Sequence, residues 1–128
     1  MNILLATDGE PHSDRVAEYA VEYASMFDAG LFVMYAVCPS ADKDEAYVKG
    51  KTATQAIKMK ALEKRVSVTT MIEAGDPAET VLRTADKIGA ETVIMGASRS
   101  CEVNRKRPLG SVSSVVAQNA CCSVIIVR

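Results

Sequence analysis

The chain is poor in the aromatic residues that stack on nucleic-acid bases: of its 128 residues none is Trp, two are Phe and four are Tyr. It also lacks an excess of either charge, because 15 Lys and Arg face 16 Asp and Glu for a formal net charge of −1. Proteins that bind DNA or RNA usually combine a basic surface with exposed aromatic rings. We therefore expect no nucleic-acid partner.

Long apolar runs are also missing. No stretch approaches the roughly 20 apolar residues that a membrane helix needs. The first ten residues, MNILLATDGE, place no basic segment before their short apolar run, unlike a secretory signal. These features predict a cytoplasmic protein with no membrane partner.

Cysteine and histidine are few and scattered. The cysteines are Cys38, Cys101, Cys121 and Cys122, and His12 is the only histidine. No pair has the CxxC spacing of redox or zinc sites, so we predict no metal ligands. We interpret the cysteines as buried free thiols, with a redox role for Cys121 and Cys122 as the alternative, although adjacent cysteines bridge only with strain.

Recognisable catalytic motifs are absent. The chain has no G-x-S-x-G turn, no G-x-x-x-x-G-K-[ST] loop and no G-x-G-x-x-G after its first apolar run. His12 precedes a helical pattern without a nearby nucleophile motif, so we interpret it as a surface or capping residue. These absences predict no catalytic residues and favour a role other than catalysis.

What the chain does contain is a regular alternation of short apolar runs and helical periodicities. Apolar runs predict strands at residues 3–7, 31–37, 66–72, 91–96 and 123–127. Helical spacing predicts helices at 14–27, 42–65, 77–88 and 112–120, although Gly50 leaves the order of residues 42–60 open. Strands that alternate with helices predict one α/β domain over residues 1–128, a parallel five-stranded sheet with helices on both faces.

Residues at the predicted helix ends support this division. Ser13 is suited to cap the first helix, and Gly30 follows its end. Asp76 and Pro77 are typical of the cap and first position of a helix, and Gly89 is typical of its end.

Parallel sheets bind ligands outside the carboxyl ends of their strands. Those ends carry Thr7-Asp8-Gly9, Val37-Cys38-Pro39 and Gly96-Ala97-Ser98. Three segments in this order, ILLATDGEPHSDRVAEYAVEYA, GDPAETVLRTADKIGAETVIMGA and GSVSSVVAQNACCSVIIVR, are similar to those of the universal stress protein family. The resemblance covers nearly the whole chain and implies a Rossmann-like sheet with strand order 3-2-1-4-5.

Members of that family that bind adenine nucleotides share a motif of G-x-x-G, nine residues, then G and Ser or Thr. Gly110-Ser111 matches its final pair, and the family spacing places Ala97 and Ser100 where the first two glycines belong. Alternatively, Gly96 is the first glycine and the loop is one residue longer. Because glycines let a backbone approach phosphate, the motif here is degenerate.

The resemblance also implies positions for a nucleotide. Asp8 would face the ribose or phosphate, and Val37 would meet the adenine edge through its backbone. The implied binding residues are Thr7, Asp8, Val37, Gly96, Ser98, Arg99, Gly110, Ser111 and Val112, with ATP or AMP as ligand and Mg²⁺ accompanying ATP. Glu10, where the family more often has Ser, adds negative charge beside the phosphate path.

Each of these residues also has an ordinary structural interpretation. Asp8 and Gly9 form a common turn pair, and Val37 is the last residue of a buried strand. The loop cations Arg99, Arg105, Lys106 and Arg107 either bind an anion or are simply solvated.

The last apolar run is suited to pairing between subunits. In the family this strand commonly joins its counterpart, which implies a homodimer through Val124, Ile125, Ile126 and Val127. The resemblance therefore predicts a dimeric regulatory module of the stress response with weak or altered adenine-nucleotide binding. The alternative is a dimeric protein-interaction module that binds no nucleotide.

Overall fold

A computed structural model describes residues 1–10, 14–97 and 110–128. In chain order its elements are β1 (Asn2–Thr7), α1 (Asp14–Met26), β2 (Gly30–Val37), α2 (Lys43–Glu63), β3 (Val68–Ala74), α3 (Pro77–Ile88), β4 (Thr92–Gly96), α4 (Ser111–Asn119) and β5 (Ser123–Val127). The strands form one parallel sheet in the order β3-β2-β1-β4-β5. The predicted α/β class and strand order are confirmed.

The central strand β1 separates two apolar cores. Ile3 and Leu5 point into the core beneath α1 and α2, whereas Leu4 points into the core beneath α3 and α4. Ile3 and Leu4 are completely buried. A strand covered on both faces must be apolar at successive positions, which explains the continuous apolar run in the sequence.

The ends of α3 agree with the predictions. A carboxylate oxygen of Asp76 accepts a hydrogen bond from the Glu79 amide at 3.1 Å, and Pro77 is the first helical residue. Gly89 ends the helix with a φ of 63°, a backbone conformation that glycine adopts without strain.

Two predicted boundaries differ from the structure. The positive φ after α1 belongs to Asp28, at 52°, whereas Gly30 opens β2; aspartate tolerates this region better than most residues. The third strand begins at Val68 rather than 66, because the Val66 amide bonds to the Ala61 carbonyl at 2.9 Å and closes the end of α2. The predicted cap Ser13 lies outside the described residues.

Helix α2 runs without interruption through Gly50. A Cβ atom at Gly50 would lie 2.4 Å from Cδ1 of Tyr35, so the missing side chain lets this ring lie against the helix. The same ring faces the turn after β1, where a Cβ at Gly9 would lie 3.0 Å from Tyr35 Cε2. Tyr35 therefore packs between the β1 turn and α2.

We expect Gly50→Ala to destabilise the protein although alanine is the better helix former. Overpacking against Tyr35 should cost about 1–3 kcal/mol, which exceeds the gain in helix propensity of about 1 kcal/mol. Urea unfolding monitored by circular dichroism measures the change. In a Tyr35→Leu background the same substitution should become neutral or stabilising, and an equal cost in both backgrounds would contradict this interpretation.

Candidate functional site

The candidate site lies at the carboxyl ends of β1 and β4, the strands whose following helices lie on opposite faces of the sheet. These strands are neighbours, with Ala6 paired to Met95, so Thr7 and Gly96 follow at the same edge of the sheet. The helix after β1 covers one face and the helix after β4 covers the other. Divergence of this kind opens a crevice at the carboxyl ends of parallel strands.

The turn after β1 is held by its own side chains. The Gly9 amide donates to Thr7 Oγ1 at 3.1 Å, and the Glu10 amide donates to Asp8 Oδ1 at 2.9 Å. Gly9 has a φ of 74°, which favours glycine. Asp8 therefore stabilises a turn at the carboxyl end of β1, as its ordinary structural interpretation requires.

Glu10 forms an ion pair with Lys49 of α2. The sequence prediction that Glu10 adds negative charge beside the phosphate path must be amended, because the Lys49 ammonium offsets this charge. Lys49 was not among the predicted site residues. The two residues are 39 positions apart, and no local pattern relates them.

Helix α4 begins at the same edge without a side-chain cap. Gly110 occupies the N-cap position with extended φ and ψ of −60° and 163°. The amides of Ser111 and Val112 belong to the first turn, where no carbonyl of the helix itself is in position to accept from them. Ser111 is exposed, and both amides belong to the positive end of the helix.

The start of α4 is attached to the end of β4 through Ala97. The Gly110 amide donates to the Ala97 carbonyl at 2.8 Å, and the Ser113 hydroxyl reaches the same carbonyl at 2.9 Å. The Ala97 amide donates to the Val127 carbonyl at 3.1 Å. Ser113 is 2% exposed and was not predicted as a site residue; its neighbours gave no sign that it would fasten the helix to the sheet.

Gly96 and Ala97 differ in what their surroundings permit. A Cβ at Gly96 would make its nearest contact at 3.4 Å, to Val16 Cγ2, so packing within the described residues leaves room for a side chain there. Ala97 is buried and its φ is not positive. The predicted positions Ser98, Arg99 and Ser100 and the loop cations lie outside the described residues, as does His12.

Val37 is the last residue of β2, which lies on the opposite side of β1 from β4. It is 9% exposed and packs in a small apolar cluster with Tyr35 and Ala46. Its carbonyl accepts a hydrogen bond from the Gly75 amide at 3.0 Å, which extends the pairing of β2 with β3. This position agrees with the interpretation of Val37 as the last buried residue of its strand.

The prediction that the cysteines are buried was wrong for Cys38 and Cys121, which are exposed, and Cys122 is half-buried. They lie in or beside turns at strand ends, where the chain returns to solvent. Cys101 lies outside the described residues. The hydroxyl and backbone of Ser40 lower the pKa of the Cys38 thiol, whereas burial raises the pKa of Cys122.

No group of three or more His, Cys, Asp or Glu side chains in the described part of the chain is arranged to hold a metal ion. No helix of that part is long and apolar enough to cross a membrane.

Fold and crevice together define an α/β protein with its candidate ligand site at the carboxyl ends of β1 and β4. The chain belongs to the universal stress protein family, which it matches over residues 1–128. A universal stress protein of Methanocaldococcus jannaschii is 30% identical over 98% of this chain and 81% of its own length. One from Bacillus subtilis is 29% identical over 98% of this chain and 97% of its own length.

Solved structures show the same fold at lower identity. A universal stress protein in complex with cAMP has a TM-score of 0.82 and 22% identity over 100% of this chain and 97% of its own. The universal stress protein from Archaeoglobus fulgidus in complex with dAMP has a TM-score of 0.81 and 20% identity, over 100% of this chain and 98% of its own. A universal stress protein family protein from Arabidopsis thaliana with AMP bound has a TM-score of 0.75 and 16% identity, over 99% of this chain and 90% of its own.

We expect the Cys38 thiol to ionise at lower pH than the Cys122 thiol, because hydrogen bonds from Ser40 stabilise the Cys38 thiolate. A lower pKa raises the thiolate fraction at a given pH, so iodoacetamide should modify Cys38 faster than Cys122 near neutral pH. Mass spectrometry of peptides alkylated across a pH series measures both midpoints. Ser40→Ala should move the Cys38 midpoint upward and leave that of Cys122 in place; identical midpoints in the parent would contradict the assignment.

Proposed function

We propose that this protein is a cytoplasmic regulatory module of the stress response, formed by one domain over residues 1–128, that binds AMP or ATP weakly. The observation that carries the proposal is the uncapped start of α4, which Ala97 fastens beside Gly96 at the crevice. The complexes of structural neighbours with cAMP, dAMP and AMP support an adenine nucleotide as ligand.

The phosphate is assigned to the start of α4. Amides of Ser111 and Val112 would donate to its oxygens, and the positive end of the helix would attract its charge. Gly96 supports the same placement. Packing among the described residues leaves room for a side chain at this position, so packing does not explain why the residue is glycine. We assign to Gly96 the close approach of backbone to phosphate, with Ser98 and Arg99 as further contacts.

The nucleoside is assigned to the β1 and β2 ends. Thr7 and Asp8 lie at the crevice and would accept hydrogen bonds from ribose hydroxyls, and the backbone of Val37 would meet the adenine edge. With ATP, Mg²⁺ would arrive on the phosphates, and Asp8 is the carboxylate placed to contact it. The Lys49 ion pair of Glu10 supports the proposal by offsetting a charge that would repel phosphate.

The alternative function is a dimeric interaction module without a nucleotide. It is favoured by the bonds that the proposed nucleoside contacts already make: Asp8 caps its own turn and the Val37 carbonyl pairs with Gly75. Binding measurements distinguish the two functions.

We expect Ser111→Pro to weaken AMP binding by about tenfold or more. Proline is tolerated at the first helical position, and the extended Gly110 before it is compatible, so the helix should survive without the Ser111 amide donor. Loss of one charge-assisted hydrogen bond costs about 1.5–3 kcal/mol. Titration calorimetry with AMP and with ATP plus Mg²⁺ measures the change.

Ser111→Ala is the matched control, because it keeps the amide and removes only the hydroxyl; its affinity should remain within about threefold of the parent, well inside the loss of one charged hydrogen bond. If the parent shows no saturable binding, the interaction module becomes the better function. If proline and alanine variants bind equally, the phosphate does not lie at α4.

We further propose that two copies pair through β5. This strand has β4 on one side, and its other edge has no partner strand among the described residues. Its residues Val124, Ile125 and Ile126 are only half-buried, and Val127 is buried at the sheet end. An apolar edge strand with unpaired backbone groups is suited to pairing with a second copy.

Val124→Lys and Ile126→Lys should each weaken the β5 dimer at least tenfold, because a buried interfacial charge lacks a partner. Sedimentation equilibrium between 1 and 100 μM, roughly the range in which small interfaces dissociate, measures the change. Circular dichroism must show that each variant remains folded. A parent that is monomeric throughout, or folded variants that associate like the parent, would contradict the β5 dimer.

A further inference from the structure

Helix α2 carries apolar residues on two opposite sides. One side is buried against the sheet through Ala46, Gly50, Thr54, Ile57 and Ala61. On the other side Val48 is 63% exposed, Met59 is 53% exposed and Leu62 is 51% exposed. A helix that covers a sheet needs only one apolar side, so the fold of the described residues does not explain the second.

The exposed side has a regular spacing. Its central residues, which we name the outer stripe, are Val48, Thr52, Gln55, Met59 and Leu62. Successive members are separated by four and three residues in alternation, which is the spacing of core positions in a two-stranded coiled coil. At a rise of 1.5 Å per residue the stripe is about 21 Å long, so its natural partner is another helix.

We propose that the outer stripe is an interface between two copies of this chain, with their α2 helices parallel and side by side. The charges beside the stripe identify the second copy as the partner. Lys58 lies on one flank and Glu63 on the other. In a parallel pair, a residue on the first flank faces the residue five positions later on the second flank of its neighbour.

Lys58 therefore faces Glu63 of the partner subunit, and symmetry forms this ion pair twice. By the same rule Asp44 faces a lysine, and Lys51 faces the neutral Ala56 position. Lys49 already binds Glu10, so the Lys58 and Glu63 pair carries most of the specificity. The same spacing continues at the amino end to the exposed Glu45, where the two Glu45 carboxylates would meet and repel, but the two Lys58 and Glu63 pairs outnumber this single like-charged contact.

The other arrangements match less well. If the two helices were antiparallel, with Thr52 of one copy opposite Gln55 of the other, Lys51 of each copy would face Lys58 of its neighbour. These like charges would repel. A uniformly acidic partner would match Lys51 and Lys58 but would repel Asp44 and Glu63, whereas a second copy carries both signs of charge. Charge complementarity thus favours a second copy over an acidic peptide.

The interface is small and its two central positions, Thr52 and Gln55, are polar. Interfaces of this size are typical of weak association, so we expect dissociation constants in the micromolar range or above. The outer stripe is separate from the β5 edge. Helix α2 packs on β2 and β3 at one side of the sheet, and β5 is the edge strand at the other side. A chain that uses both surfaces should form assemblies larger than a dimer.

Charge reversal tests the proposal. Lys58→Glu should weaken association through α2 about fivefold to tenfold, because it opposes two like-charged pairs, and Lys58→Glu combined with Glu63→Lys should restore the parental value. Leu62→Glu should abolish association through this face. Lys87→Glu on α3 is the matched control, since it changes net charge equally at an exposed site away from the stripe.

Sedimentation equilibrium is measured in the parent and again in a Val124→Lys background, with circular dichroism as the check of folding. The proposal is supported if the Val124→Lys protein still associates, if Lys58→Glu weakens that association and if the double reversal restores it. This outcome does not depend on whether β5 pairs. A single reversal without effect, or a loss that the double reversal does not restore, overturns it. A monomer that instead binds phosphatidylserine vesicles through these lysines also overturns it.

Discussion

The position of β1 at the centre of the parallel sheet is the constraint on which the other features depend. With neighbours on both edges and helices on both faces, the middle of this strand can contain only apolar side chains, and Ile3 and Leu4 are fully buried. Polar chemistry is therefore displaced to its carboxyl end. There α1 lies on one face of the sheet and α4 on the other, the arrangement that opens a crevice at the carboxyl ends of parallel strands.

The Tyr35 ring connects the turn after β1 with α2. It packs against two glycines, Gly9 in the turn after β1 and Gly50 in the helix, and so holds both close to the end of β2. That closeness allows Lys49 to pair with Glu10. Tyr35 thus contributes to the position of Lys49 beside the candidate site, together with Ile57 and Ala61, which bury the inner side of α2 and leave the outer stripe exposed.

The fold was largely predictable because its signals are local. Continuous apolar runs identify buried strands, and Asp76, Pro77 and Gly89 mark a helix through hydrogen bonds within a few residues. The errors arose where packing decided instead. Val66 closes the end of α2 rather than opening a strand because its amide reaches back to Ala61. The predicted helix runs on through Gly50, a position that the sequence left uncertain, and the missing side chain there makes room for the distant Tyr35 ring.

The candidate site divides in the same way. The sequence by itself determined the strand ends that carry Thr7, Asp8 and Gly96 and the helix start at Gly110-Ser111, because hydrophobic periodicity and turn chemistry are written in neighbouring residues. Only the tertiary structure decided that Lys49 offsets Glu10, that Ser113 and Ala97 fasten α4 to β4, and that Cys38 is exposed. Those contacts join residues far apart in the chain, and only the packed sheet brings them within bonding distance.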